Sequence, residues 1–226
     1  MERMNLDKLI GPRLSREALA REGVRFALPT FFLSLAAVLL IASIFLPYWR
    51  LKLLAPQYPG GLVVQAYLDR VEGDVREIDG LNHYIGMRPL GEAAQLEKSL
   101  SIAAVVAIAL LVIGAVYIHN RIAAFLALPA VLFPAVFLID LYFWLRSFGT
   151  NLDPTAPLSS SIKPFVPPVL GYGKVGQFGT VAMPDLGLVL AALASVLILL
   201  GLFFHRRAYR PLVLSRSGRG EGASTD

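Results

Sequence analysis

Four long apolar runs divide the chain, and each is long enough to cross a bilayer as a helix. About 20 apolar residues span the hydrocarbon core of a membrane, and a helix there satisfies all of its own backbone hydrogen bonds. The runs cover residues 29–47, 99–118, 122–145 and 185–204. The very short link between the second and third runs predicts an antiparallel helical hairpin. The fold class predicted is therefore an all-α membrane protein with four transmembrane helices.

The two long segments between these runs have different patterns. Residues 48–98 contain alternating stretches, Trp49–Leu53 and Leu62–Leu68, on either side of a Pro/Gly-rich turn, which predicts a small β-hairpin. Residues 146–184 are rich in Pro, Gly and Ser and predict an extended, irregular loop. Its aromatic residues and its few charges favour packing against another surface, such as the first loop. We expect both loops to be ordered.

The placement of Lys and Arg predicts the orientation. Of 21 such residues, twelve lie in residues 1–28, at Arg121 and in residues 205–226, which together are much shorter than the two long loops. Because short cytoplasmic segments carry the excess of positive charge, we expect both termini in the cytoplasm and both long loops outside. The mixed-charge segment before the first run indicates a retained anchor rather than a cleaved signal peptide. The predicted location is the bacterial inner membrane.

Composition agrees with a membrane protein and excludes several kinds of chemistry. Hydrophobic residues make up 56% of the chain and charged residues 16%, against about 25% charged in soluble domains. Cysteine is absent, which excludes disulfides, Cys-bound metals and thiol nucleophiles. The net charge of +5 comes from basic residues beside the apolar runs, so it does not indicate nucleic-acid binding. No nucleophile, base and oxyanion donors occur in a catalytic pattern, and we do not expect an enzyme.

The chain has three histidines, and two of them lie at predicted cytoplasmic helix ends. His119 and His205 stand beside Arg121 and Arg206, where we expect them to cap helices and join the basic anchor. Binding of a b-type haem needs paired histidines inside membrane helices. None lies there, so no haem is expected.

The third histidine suggests a copper site in the outer loops. His83 precedes Met87 by four residues, so both side chains would share one face if this stretch is helical. Imidazole and thioether are soft donors that suit Cu(I), and Met183, before the fourth run, is the best third ligand by topology. The alternative is structural: His83 hydrogen-bonds the loop backbone while Met87 packs beneath it. The predicted metal ligands are His83, Met87 and Met183.

One acidic residue, Asp140, lies inside the third apolar run. Ionisable side chains in a membrane usually face a partner or a wet cavity, and Arg146 is a candidate partner near the outer end of the same helix. Two interpretations stay open for Asp140. It anchors the helix at the interface, or it takes part in ion or proton transfer.

Three segments resemble a family of small bacterial polytopic membrane proteins. They are the APQYPGGL and GLNHYIGM segments of the first loop and the PFVPPVLGYGK segment of the second, at residues 55–62, 80–87 and 164–174. Members of this family often accompany nitrous oxide reductase and its copper-maturation genes. The resemblance implies a role near copper or respiratory enzyme assembly, without assigning a role to any residue.

The leading hypothesis is therefore an accessory membrane protein that handles copper for a periplasmic copper or respiratory enzyme, or docks that enzyme. Nitrous oxide reductase is the candidate enzyme, and the expected partners are the lipid bilayer and a periplasmic or membrane protein. Two alternatives stay open. Asp140 and the proline-containing third helix favour a small transporter or channel subunit, and the loops alone are compatible with a non-catalytic anchor subunit of a respiratory complex.

Overall fold

The computed structural model describes residues 16–118, 120–175 and 178–221. In chain order, the elements are α1 (Arg16–Ser43), β1 (Trp49–Ala55), β2 (Tyr58–Ala66), β3 (Val71–Gly73), α2 (Val75–Ile85), α3 (Gln95–Tyr117), α4 (Ile122–Thr150), β4 (Gly171–Val175), β5 (Phe178–Pro184) and α5 (Leu186–Glu221). A single 3₁₀ turn, Leu90–Glu92, precedes α3. His119, expected to cap a helix, lies outside the described residues.

Four of these helices are long and apolar enough to cross a membrane, within the part of the chain that the structure describes. Their apolar spans are Val24–Ser43, Gln95–Tyr117, Ile122–Thr150 and Leu186–Tyr209. The predicted four membrane helices are confirmed, and the chain is a multi-pass membrane protein whose exposed helix surfaces contact lipid. Helices α1, α3, α4 and α5 each extend beyond their apolar run at one end.

The chain forms two compact units, and the first consists of helical segments alone among its described residues. It comprises Met1–Ile41, Val106–Leu132 and Ala192–Asp226. Its most buried positions are largely alanines, such as Ala36, Ala109 and Ala127, each at most 1% exposed. Small side chains let helix backbones approach closely, which is how helices associate in membranes. We call this part of the chain the helical unit.

The second unit combines helix ends with all the described strands, and it comprises Ala42–Val105 and Phe133–Ala191. Its five strands form one antiparallel sheet in the order β3-β2-β1-β5-β4. Strand β1 is central: Arg50 lies opposite Gln65 of β2 on one side and Met183 of β5 on the other. Both long loops therefore contribute to a single sheet, and we call this part the sheet unit.

The sheet confirms the predicted hairpin and extends it. Strands β1 and β2 pair as expected, but the turn is tighter, since Pro59, Gly60 and Gly61 belong to β2. The second loop packs on the first, as expected, yet it does so by adding the β4–β5 hairpin rather than by irregular contacts. The Gly-rich sequence alone did not predict β5, because this strand pairs with β1, which lies far away in the sequence.

One face of the sheet covers the core of this unit. Strand residues that alternate inward, including Trp49, Leu51 and Val64, pack with Ile78 and Ile85 of α2. Part-buried residues of α4 complete the cluster: Phe137, Leu141, Trp144 and Leu145. We call this the inner face of the sheet and the opposite side the outer face.

Candidate functional site

The segment that carries His83 and Met87 is a helix end followed by a sharp stop. Helix α2 ends at Ile85, and Gly86 adopts a left-handed backbone conformation (φ 81°) as its C-cap. A Cβ at this position would lie 2.7 Å from the Asp153 carbonyl oxygen, so glycine is required both for its φ and for the close approach of the second loop. Met87 thus lies beyond the helix, and the helical face expected for His83 and Met87 is not formed.

The three predicted copper ligands have different surroundings. His83 is exposed and faces Asp153, whereas Met87 is 7% exposed and belongs to the inner-face core. Met183 is 44% exposed. Because its strand neighbour Ala182 is buried in the core, Met183 lies on the outer face. The structure does not bring the three donors together, and the copper site stays a prediction without a common geometry.

The core behind Met87 contains a small cavity beside a buried polar group. The cavity has a volume of about 50 Å³, whereas ligand pockets usually measure about 300–1,000 Å³. Asn82 lines it, is 3% exposed, and its Nδ2 has no hydrogen-bond partner among the described residues. At this size the cavity is a packing defect rather than a cofactor site.

A polar centre that the sequence analysis missed lies where β5 passes into α5. Asp185 is 7% exposed, and its Oδ2 accepts hydrogen bonds from Arg50 Nε (2.9 Å) and Nη2 (2.8 Å) and from Gln65 Nε2 (3.1 Å). Its Oδ1 accepts the Leu186 N–H at 2.9 Å. An acidic residue at the start of an apolar run is a typical N-cap signal, and this signal could have identified the role of Asp185.

These contacts set the ionisation of Asp185. Burial acts to raise the pKa of the carboxyl group, but the Leu186 N–H, the Gln65 amide and the Arg50 guanidinium together outweigh it, so the pKa lies below its ordinary value. The neighbouring Tyr48 hydroxyl shares a 2.6 Å hydrogen bond with Ser43. Burial raises the pKa of Tyr48 to about 12, against a smaller opposing effect of that bond. Asp185 is thus charged and Tyr48 neutral at physiological pH, which suits structural roles.

Asp140 does not have the partner expected for it. The Trp144 side chain, one turn further along α4, hydrogen-bonds the Asp140 carboxylate. Among the described residues, no ion pair joins Asp140 to Arg146. Trp144 also packs against the sheet-unit core, so Asp140 is linked to the structure of this unit.

The outer face of the sheet presents a mixed surface of basic, aromatic and aliphatic side chains. The alternation of each strand and the strand register place the following residues on it: Arg50, Lys52, Leu54, Val63, Gln65, Glu72, Tyr172, Lys174, Val181 and Met183. Tyr172 is 87% exposed, Leu54 47% and Met183 44%. Exposed large apolar side chains on an ordered sheet are typical of protein contact surfaces.

Charges on the outer face are only partly balanced within the molecule. Arg50 pairs with Asp185, and Glu72 shares Arg70 with Asp69. Lys52 and Lys174 take part in no ion pair among the described residues. The face therefore carries two uncompensated positive charges around its exposed aromatic and aliphatic groups.

Comparison with known proteins finds no matching family model, no matching curated protein and no matching solved structure. The outer face is thus the candidate functional site on physical grounds alone. Sequence analysis missed it because β4 and β5 were not recognised as strands.

Proposed function

We propose that this protein is a bacterial inner-membrane accessory protein that docks a periplasmic copper or respiratory enzyme on the outer face of its sheet. The observation that carries the proposal is the ordered five-stranded sheet, one face of which covers its own core while the other presents Tyr172, Leu54 and Met183 to solvent. The resemblance of three loop segments to a family that accompanies nitrous oxide reductase makes that enzyme the first candidate.

The proposed orientation rests on the distribution of positive charge. Twelve of the 21 Lys and Arg residues lie in the two terminal segments and at Arg121, which the positive-inside rule assigns to the cytoplasm. The five-stranded sheet then lies in the periplasm. Reporter fusions after Arg25, Arg121 and Arg210 should report the cytoplasm, and fusions within residues 70–80 or 155–165 the periplasm. A periplasmic signal at Arg121 would contradict the orientation.

Docking is favoured over copper handling because of where the predicted ligands lie. Met87 is buried in the hydrophobic core, His83 is exposed near Asp153, and Met183 lies on the outer face. Neither is a transporter favoured, since Asp140 contacts Trp144 at the core of the sheet unit. An anchor subunit of a respiratory complex would use the same outer face, so it is a variant of the docking proposal.

Copper handling has a direct test. Competition with a Cu(I) chelator would be measured for the purified parent and for two variants, His83→Ala and Met87→Leu. The Met87→Leu change removes the thioether but keeps an apolar side chain in the core. Met4→Leu is the matched control. Weaker copper retention by both test variants would restore the copper role, and equal retention by all four proteins would exclude these ligands.

Site-specific photo-crosslinking tests docking. We would replace Tyr172 by p-benzoylphenylalanine in cells that make the candidate enzyme, irradiate the membranes and identify the products. Tyr84, an exposed tyrosine of α2, is the matched control because it lies outside the outer face. The proposal predicts a product with the copper or respiratory enzyme at residue 172 and none at residue 84. Absence of that enzyme at residue 172 would overturn it.

A further inference from the structure

The outer face has a defined arrangement of its two uncompensated lysines. Lys52 of β1 lies opposite Val181 of β5, and Val181 lies opposite Tyr172 of β4. Lys174 lies opposite Gly179, two residues before Val181 on β5. Two strand spacings across the sheet and two residues along it put the Cα atoms of the lysines about 12 Å apart. An apolar strip, formed by Val181, Tyr172 and Leu54, lies between and beside them.

Glycines shape this surface at two positions. A Cβ at Gly61 would lie 2.6 Å from Lys52 Cε, and Gly61 has a φ of +74°. The Lys52 side chain therefore lies over the β2 backbone at Gly61, where no side chain is present. At Gly179, a Cβ would meet only the Leu54 side chain, at 3.8 Å. This second glycine leaves a shallow depression between Leu54 and Lys174.

We infer that the outer face binds an acidic protein surface, with carboxylates that pair with Lys52 and Lys174 on either side of the apolar strip. This inference rests on the proposed docking function and specifies the chemistry of the partner. Complementary charge accelerates association and fixes register. The exposed Tyr172 and Met183 are residue types enriched in the core of protein interfaces, where charged groups belong to the rim.

Anionic lipid is the other class of ligand that two lysines could attract. Electrostatic binding to a membrane surface relies on clusters of about four to eight basic residues. The outer face has two uncompensated lysines on separate strands, with Glu72 at its edge. Its charge is too low and too dispersed for a lipid headgroup layer, and its apolar strip suits a shaped protein surface.

The test reverses the two charges and measures docking. Lys52→Glu together with Lys174→Glu changes the net charge by −4, and Arg76→Glu together with Lys163→Glu is a matched control on exposed residues outside the outer face. We expect the first double variant to lower binding of the enzyme trapped at Tyr172 by roughly tenfold or more, and the control to leave it unchanged. Parent binding should weaken as salt rises. Equal thermal unfolding midpoints would show that both variants are folded.

The outcomes separate this inference from the docking proposal. If the crosslink at residue 172 forms equally in the parent and in the charge-reversed variant, docking stands and the acidic partner surface is wrong. If no enzyme is trapped in the parent, both fail. A further experiment measures whether the protein, held in phosphatidylcholine nanodiscs, binds vesicles that contain or lack phosphatidylglycerol. Binding to phosphatidylglycerol that depends on Lys52 and Lys174 would replace the protein partner by a lipid surface.

Discussion

The helical unit and the sheet unit are packed by different means. Alanines occupy many of the fully buried positions of the first, and its described inter-segment hydrogen bonds include one from Ser195 Oγ to the Ala130 carbonyl at 3.2 Å. The second has large side chains in its core, such as Trp49 and Phe148, and a charged centre at Asp185. Lipid-embedded helices gain from close backbone approach, whereas a sheet in water gains from buried apolar area. The helical unit should therefore be sensitive to larger side chains at its buried alanines, and the sheet unit to changes at its close backbone approach and its charged centre.

The largest expected effect is at Gly86 of the sheet unit. Gly86→Ala would force a side chain into a left-handed backbone conformation and against the Asp153 backbone, which we expect to destabilise the unit by about 3 kcal/mol. Both tryptophans of the chain belong to this unit, so tryptophan fluorescence during thermal unfolding reports on it specifically.

Gly80→Ala is the matched control for this prediction. Gly80 lies inside α2, and a Cβ there would meet nothing within 4 Å. Because alanine is the better helix former, this variant should stabilise the unit by up to about 1 kcal/mol. Equal behaviour of the two alanine variants would contradict the role assigned to Gly86.

The next effect concerns the charged centre. Asp185→Ala removes both the N-cap of α5 and the partner of Arg50, and we expect a cost of about 2–3 kcal/mol because Arg50 is part-exposed and keeps access to water. Asp185→Asn keeps one oxygen for the cap but turns its amide N–H₂ toward the Arg50 and Gln65 donors, so it should cost about as much as Asp185→Ala. Asp69→Asn, which removes a part-exposed carboxylate from Arg70, should change the free energy of unfolding by under about 0.5 kcal/mol.

In the helical unit, the sensitive positions should be the buried alanines. Ala127→Leu inserts three carbons at a position with no exposure and should destabilise by about 2 kcal/mol through overpacking. Ala124→Leu, at an exposed neighbouring position of the same helix, should be neutral because it faces lipid. Helical circular dichroism on heating measures both. Equal tolerance of the two leucines would show that close alanine contacts do not hold this unit together.

The smallest effect is a dependence on pH. Since the pKa of Asp185 is lowered in the folded protein, its contribution to stability is present above its unfolded pKa of about 3.9 and is lost as the pH falls through the folded value. The difference in unfolding midpoint between the parent and Asp185→Asn should therefore be constant from pH 7 to 5 and shrink below about pH 4. A difference that stays constant down to pH 3 would contradict the lowered pKa.

Much of the fold could be predicted because it depends on local patterns. Apolar runs identified the four membrane helices, and alternation after the first run identified the β1–β2 hairpin. Strands β4 and β5 could not be recognised in the same way. Their Gly171–Gly179 stretch has turn composition, and it becomes a sheet because β1 offers an unpaired edge far away in the sequence. Tertiary pairing overrode local propensity there.

The candidate site was harder to predict for related reasons. The copper hypothesis assumed an unbroken helix from His83 to Met87, although a glycine just after a helical segment is the usual C-cap signal. The outer face could not be assembled at all, since it joins side chains from five strands and two loops. Asp185 was visible as a cap, but its pairing with Arg50 needed the register between β1 and β5.

The central place of β1 also has a consequence for biogenesis. Its partner β2 follows at once in the chain, but Trp49 pairs on its other side with Pro184, which is synthesised much later. At about 5–20 residues per second, translation of the intervening chain takes roughly 7 to 27 seconds. Throughout that time one long edge of β1 has no neighbour, and open strand edges are templates for aggregation. Completion of the sheet is therefore a late, long-range folding step, and a nascent chain stalled before β5 should depend on chaperones to survive.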